Sequence, residues 1–203
     1  MKKYIIFAVF CAAFFAGCSS NPKVERIDSG KIADKSGYWN DTDARIVCES
    51  LIKDCLSNAK MNKALARRGS KTPKVLVGEF RNNTSEHINT AVITTTMETA
   101  IFNSGKLDFV AGGSERDSFR KERIDQNQSG FTSDATAKAL ANETGADFVL
   151  TGSIESIIDE AGNQAVRTYF VNARMTDLET NERVWMAQNS SIKKIVTRPK
   201  AKF

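Results

Sequence analysis

Apolar positions along the chain change their period three times. Residues 4–15 are apolar almost without a break, behind Lys2 and Lys3. Residues 19–36 show no apolar period, only Pro22, Ser29, Gly30 and mixed charges. From Asn40 to Ile195, helical and strand periods follow one another. In residues 42–58, Ile46, Val47, Leu51, Ile52, Cys55 and Leu56 recur at helical spacing. Asn40 or Asp41 serves as the N-cap, with acids at the positive end of the helix. Residues 74–80 read as a nearly continuous apolar strand, the pattern of a central place in a sheet. The polar turn of residues 81–85 leads into a helix over residues 86–104. Its expected buried stripe is Ile88, Val92, Thr95, Thr99 and Phe102, and Gly105 stops it.

A short strand follows at residues 107–110, and the Ala111-Gly112-Gly113 turn opens a helix running to about Ile124. Ser114 and Asp117 form the expected capping box of that helix. Ser133 or Asp134 caps a small-residue helix at residues 135–143. Three strands complete the chain at residues 148–154, 166–175 and 183–195, joined by turns at 160–163 and 179–181. The order α-β-α-β-α-α-β-β-β predicts one mixed α/β (α+β) domain over residues 37–203. Four helices pack on a five-stranded mixed sheet that ends in antiparallel hairpins.

The first residues read as an export signal. Residues 4–15 are shorter than the roughly 20 residues a membrane-spanning helix needs. They end in Phe15-Ala16-Gly17-Cys18, which resembles a lipobox, with a signal peptide over residues 1–17 and Cys18 as the acylated N-terminus. Phe15 stands where Leu is usual. Ser19 after the cysteine fits outer-membrane sorting. Residues 18–36 are then a lipidated tether, and about 18 extended residues reach some 60 Å.

Loss of residues 1–17 leaves 186 of the 203 residues, enough for one domain with a core. The remaining 27 basic and 24 acidic residues give a net charge of +3. That is too mild to call for a nucleic-acid partner, and the basic tail from Lys193 to Lys202 reads as a solvated terminus. Cys48 and Cys55, seven residues apart on one helix, lie roughly 10 Å apart along its axis. This exceeds the reach of a disulfide between them. They read as small core residues, with a bridge between two chains as the alternative.

No catalytic constellation is visible. The single histidine, His87, has no nucleophile motif beside it, and no ligands group as a metal site would need. The Gly-Gly turn lacks the spacing of a dinucleotide fingerprint. The expectation is a protein that binds another protein, with no catalytic residue, no cofactor and no small-molecule substrate. Candidate contacts are Tyr38 and Trp39, either exposed to a partner or packed as a staple at the helix entrance. Arg81, Asn82 and Asn83 are further candidates, on a polar turn at the end of a central strand.

Several segments together resemble the LpoB family of penicillin-binding-protein activators. They are Ser36-Gly37-Tyr38-Trp39-Asn40-Asp41-Thr42-Asp43, Val77-Gly78-Glu79-Phe80-Arg81-Asn82-Asn83-Thr84-Ser85, Gly105-Lys106-Leu107-Asp108-Phe109-Val110 and Gly145-Ala146-Asp147-Phe148-Val149-Leu150-Thr151-Gly152. The turn Asp177-Leu178-Glu179-Thr180-Asn181-Glu182 before Val184-Trp185 completes the set. Later segments are shared with TolB-type N-terminal domains and with the curli-secretion channel family. The resemblance implies a TolB-like fold and a palmitate-bearing outer-membrane lipoprotein facing the periplasm. Its partner would be a bifunctional penicillin-binding protein, a peptidoglycan synthase, whose activity it stimulates. A subunit related to curli-type channels is the alternative. Arg167, Arg174, Gln188 and Lys193 interrupt the lipid-facing row that such a channel requires. A long Pro-rich arm is known in the LpoB family, and this chain has only residues 19–36.

Overall fold

The computed structural model describes residues 24–28, 30–69, 71–129 and 145–198. Among these, every helix and strand belongs to the compact unit that begins at Ile32. Cys18, the signal segment and the helix expected at residues 135–143 lie outside the described residues.

Asn40 caps α1 (Asp41–Ser57) with a full capping box, its side chain accepting from Asp43 N–H while the Asp43 carboxylate accepts from Asn40 N–H. Val47, Cys48, Leu51, Ile52, Cys55 and Leu56 are buried as their spacing predicts, whereas Ile46 stays exposed. Asn58 then ends α1 and begins α2 (Ala59–Ala66), accepting from the Lys60 and Met61 N–H groups. The sequence reading has no counterpart for α2. After β1 (Lys74–Asn82), α3 spans Thr90–Ser104 with Asn89 as its N-cap and Gly105, at φ 65°, as its left-handed stop.

The expected start at Glu86 is four residues too early, and the expected stripe is the wrong one. Ile93, Met97 and Ile101 face the core, while Val92 is 48% and Phe102 70% exposed. This helix carries apolar residues on several faces, so periodicity alone did not select the buried one. β2 (Asp108–Phe109) is shorter than expected. Gly112, rather than Ser114, occupies the N-cap of α4 (Gly113–Gln128).

Among the described residues the sheet has six strands, not five. β3 (Phe148–Ala161) and β4 (Gln164–Asp177) form a hairpin in unbroken register from Phe148↔Asp177 to Ala161↔Gln164. The last expected strand divides into β5 (Arg183–Asn189) and β6 (Lys193–Thr197). Both pair antiparallel with β4, β5 along Val171–Thr176 and β6 along Gln164–Thr168, so they lie end to end on one edge. β1 runs parallel to both β2 and β3, giving the order β2-β1-β3-β4-β5. The mixed α/β class is as expected, and the long hairpin has moved the balance towards antiparallel pairing.

α1 and α3 pack on one face of this sheet. Between them lie Val75, Phe148, Leu150, Ile154, Tyr169, Val171, Met175 and Trp185, all buried. Gly152 is required here, since a Cβ would collide with the Phe80 ring and the Asn172 carbonyl. Every inward residue of β4, in alternation from Ala165 to Asp177, is buried, and two of them are charged: Arg167 and Asp177.

A candidate partner-binding cavity

The two charged residues lie towards opposite ends of β4, and a cavity opens beside Arg167. Its volume is about 650 Å³, and it lies between the N-terminal ends of α1 and α3 and the β3–β4 hairpin. Trp39, Ala44, Ile88, Val92 and Ile158 give it an apolar side, and Asn40, Asp41, Ser85, Glu86, His87 and Arg167 a polar one. Such a pairing of apolar wall with a few convergent polar groups is what ligand and partner sites present.

Glu86 is the centre of the polar side. Its carboxylate accepts from Tyr169 Oη (2.5 Å), Arg167 Nη1 (3.3 Å) and the Trp39 N–H (3.2 Å). The turn before α3 delivers it. Asn82 Nδ2 donates to the Glu86 carbonyl (2.7 Å), and Thr84 Oγ1 accepts from the Glu86 N–H (3.1 Å). This use of Glu86 explains why α3 starts late: its side chain bonds to β4 rather than to a first helical turn.

Arg167 is only 8% exposed. Its guanidinium carbon sits 3.9 Å from the centre of the Tyr38 ring, close stacking for a cation on an aromatic face. The interaction with Tyr38 holds its pKa up against burial, with help from Glu86. One donor is left over, for Nε is buried with no hydrogen-bond partner. Burial, then the neighbouring Glu86, pushes the Tyr169 phenol upward, so it remains a donor at neutral pH.

Of the sequence candidates, Tyr38 and Trp39 line this cavity and divide the two readings between them. Trp39 is packed down, edge-on to Tyr169 at 5.4 Å between ring centres. Tyr38 remains half-exposed at the rim. Arg81, Asn82 and Asn83 do not line it. Arg81 is exposed on β1 and pairs with Glu79 (3.2 Å). Asn82 Oδ1 accepts from Thr84 N–H (3.0 Å), which closes the turn. Asn83 donates to Glu155 (3.0 Å), tying the end of β1 to β3. His87 is exposed at the cavity edge, ahead of α3 rather than within it.

Sequence reasoning missed Glu86, Arg167 and Tyr169. One signal for Arg167 was available: it falls in the inward phase of Ala165, Arg167, Tyr169, Val171 and Ala173. A charge in the apolar phase of a strand marks a buried cation that needs a partner.

The family described as peptidoglycan-synthase activator LpoB matches residues 43–191. No curated protein matches the chain. Among solved structures, the C-terminal domain of LpoB from Escherichia coli is 18% identical, covering 77% of this chain and 99% of that one, with a TM-score of 0.42. The NMR structure of E. coli LpoB is 17% identical over 91% and 87% of the two chains, with a TM-score of 0.41. Lipoprotein GNA1162 from Neisseria meningitidis is 17% identical over 64% and 87%, with a TM-score of 0.36. By its match to the family over most of its length, this chain belongs to the peptidoglycan-synthase activator family LpoB.

Proposed function

We propose that this protein is an outer-membrane lipoprotein, acylated on Cys18 and facing the periplasm. In this reading it binds and stimulates a bifunctional class A penicillin-binding protein. The observation that carries the reading is the family match across residues 43–191. Stimulation needs no chemistry from the activator: a partner that binds the active conformation of the synthase more tightly shifts its population. The cavity beside Tyr38 and Trp39 supplies a surface suited to that task, with an apolar pocket, two aromatic rings and an arginine. Asn82 and Asn83 then act indirectly, by shaping the backbone that carries Glu86 and joins β1 to β3, while Arg81 lies outside this surface, paired with Glu79.

The test has two parts. The mature chain is used to capture synthases from detergent-solubilised membranes, and the captured synthase is assayed for glycan polymerisation with and without it. Capture of a class A enzyme and a faster rate are expected; the absence of both would sink the activator reading. Metabolic labelling with a palmitate analogue tests the anchor, with label expected in wild type and absent from Cys18→Ala.

A further inference from the structure

Tyr38, Trp39 and Asn40 line the cavity, and residues 34–37 before them run beside β6 without a strand ladder to it. They are held at a few points. Lys194, on β6 and 9% exposed, donates to Asp34 Oδ1 (2.6 Å), the Tyr38 carbonyl (3.0 Å) and Asp43 Oδ2 (2.6 Å). One ammonium group thereby joins this segment, β6 and the first turn of α1. Gly37 takes φ 69° against Val196, whose side chain would collide with any Cβ there. Tyr38 lies on Arg167, and Trp39 is fixed by Glu86 and Tyr169. Between the segment and β6 remains a groove of about 440 Å³, lined by residues 34–37 on one side and Lys193–Thr197 on the other.

We infer that residues 34–40 are a detachable strap, latched by Lys194, through which the tether controls the cavity. Within residues 34–40, pull from the N-terminal side reaches Asp34 first. When Asp34 parts from Lys194, the load passes to Gly37, Tyr38 and Trp39 in turn. The capping box of Asn40 and Asp43 then stops the peel at α1. Release removes Tyr38 and Trp39 from the cavity and adds six residues, 34–39, to the tether, about 20 Å at roughly 3.3 Å each. Against about 50 Å for residues 18–33, that is about two-fifths as much reach again. A slack tether leaves the partner surface built, and a taut one dismantles it. The domain therefore gauges its distance from its anchor. This regulatory meaning rests on the anchored-activator reading; the latch itself does not.

The test stretches the unacylated mature chain between handles on Cys18 and on Glu182→Cys, in the β4–β5 turn, with Cys48 and Cys55 buried. Wild type is expected to lengthen by a separate step of about 20 Å before the domain unfolds. In Lys194→Met that step moves to lower force, while the main unfolding event remains. Hydrogen exchange at Trp39 is expected to quicken at least about tenfold in Lys194→Met, and several-fold in the milder Asp34→Asn, with Val171 unchanged. A single all-or-none extension, or exchange at Trp39 as slow as at Val171 in every variant, overturns the strap. Neither readout contains a synthase, so that failure leaves the activator reading standing. A clear step combined with no stimulation of any synthase does the reverse.

Discussion

Each end of the inner face of β4 carries an arginine–carboxylate cluster, and the two are built to different ends. At the Asp177 end, Arg68 reaches Asp177 (2.8 Å), Glu179 (2.6 Å) and Asp147 (3.8 Å), and lies 5.3 Å over the Phe148 ring. Asp177 also accepts from the Glu179 and Thr180 N–H groups, which shapes the β4–β5 turn. At the Arg167 end the parts are the same, a guanidinium, a carboxylate and an aromatic ring. There, however, one donor has no partner and a cavity adjoins it. Around Arg68, among the described residues, no buried side-chain donor is left unpaired, and the cluster holds the fold together. The Arg167 cluster instead keeps one buried donor unpaired and borders a cavity, so its bonding is not complete within the fold. The difference lies in satisfaction and room, not in residue type.

Four experiments press on this contrast. The largest effect is expected from Glu86→Ala, which leaves Arg167 buried without its counter-charge and costs roughly 3–5 kcal/mol. Thermal denaturation should fall by about 10 °C, at roughly 2–4 °C per kcal/mol for a domain of this size. Adding Arg167→Met should restore much of the melting temperature but none of the synthase stimulation. Next comes Asp177→Ala, where Arg68 keeps Glu179 and Asp147. Chemical denaturation should show a loss of roughly 1–3 kcal/mol, with stimulation intact once the protein is folded. If Asp177→Ala abolishes stimulation while Glu86→Ala spares it, the assignment of the two ends is reversed.

A smaller effect separates the ends by pH. At Asp177, burial pushes the pKa upward but is outweighed by the Thr180 and Glu179 N–H groups and by Arg68, so the group ends below its ordinary 3.8. At Asp34, the hydrogen bond from Lys194 and then that from Asn40 lower it likewise. A lowered carboxylate contributes stability that is present above 3.8 and lost as the pH falls through its lowered value. Lys194 has the opposite sign. Burial opposes its charge, but Asp34 and Asp43 prevail and raise it, so its contribution is complete below 10.5 and lost above the raised value. Acid titration followed by tryptophan fluorescence should destabilise wild type below about pH 4, with a shallower slope in Asp177→Asn. The smallest change in stability belongs to Tyr38→Leu. Loss of the stacked ring should cost under about 1 kcal/mol at this half-exposed site, yet reduce stimulation.

What the sequence made legible was local. The Asn40 cap, the buried face of α1 and the Gly105 stop each depend on neighbours within a turn or two, and each stands where it was expected. The errors are long-range. Glu86 looks like a first-turn acid until Arg167 and Tyr169, more than 80 positions away, recruit it. α2 is only eight residues long and buries just Met61 and Ala64, too short a stretch for periodicity to reveal, although Asn58 is a good cap on either side. β5 and β6 read as one strand because their break at residues 190–192 is short and Ile192 is itself apolar. Arg167 and Arg174 looked alike on paper as charges along one strand. They are seven residues apart, so they point to opposite faces, Arg167 inward and Arg174 outward.

The two cysteines of α1 carry a consequence of their own. Burial pushes the thiols of Cys48 and Cys55 up to about 12, so at neutral pH almost none is thiolate, the form that attacks a disulfide. In an oxidising compartment the folded domain is therefore inert to mispairing, and a thiol reagent meets these sulfurs only when the helix leaves the sheet. Their rate of alkylation is a built-in clock for whole-domain opening.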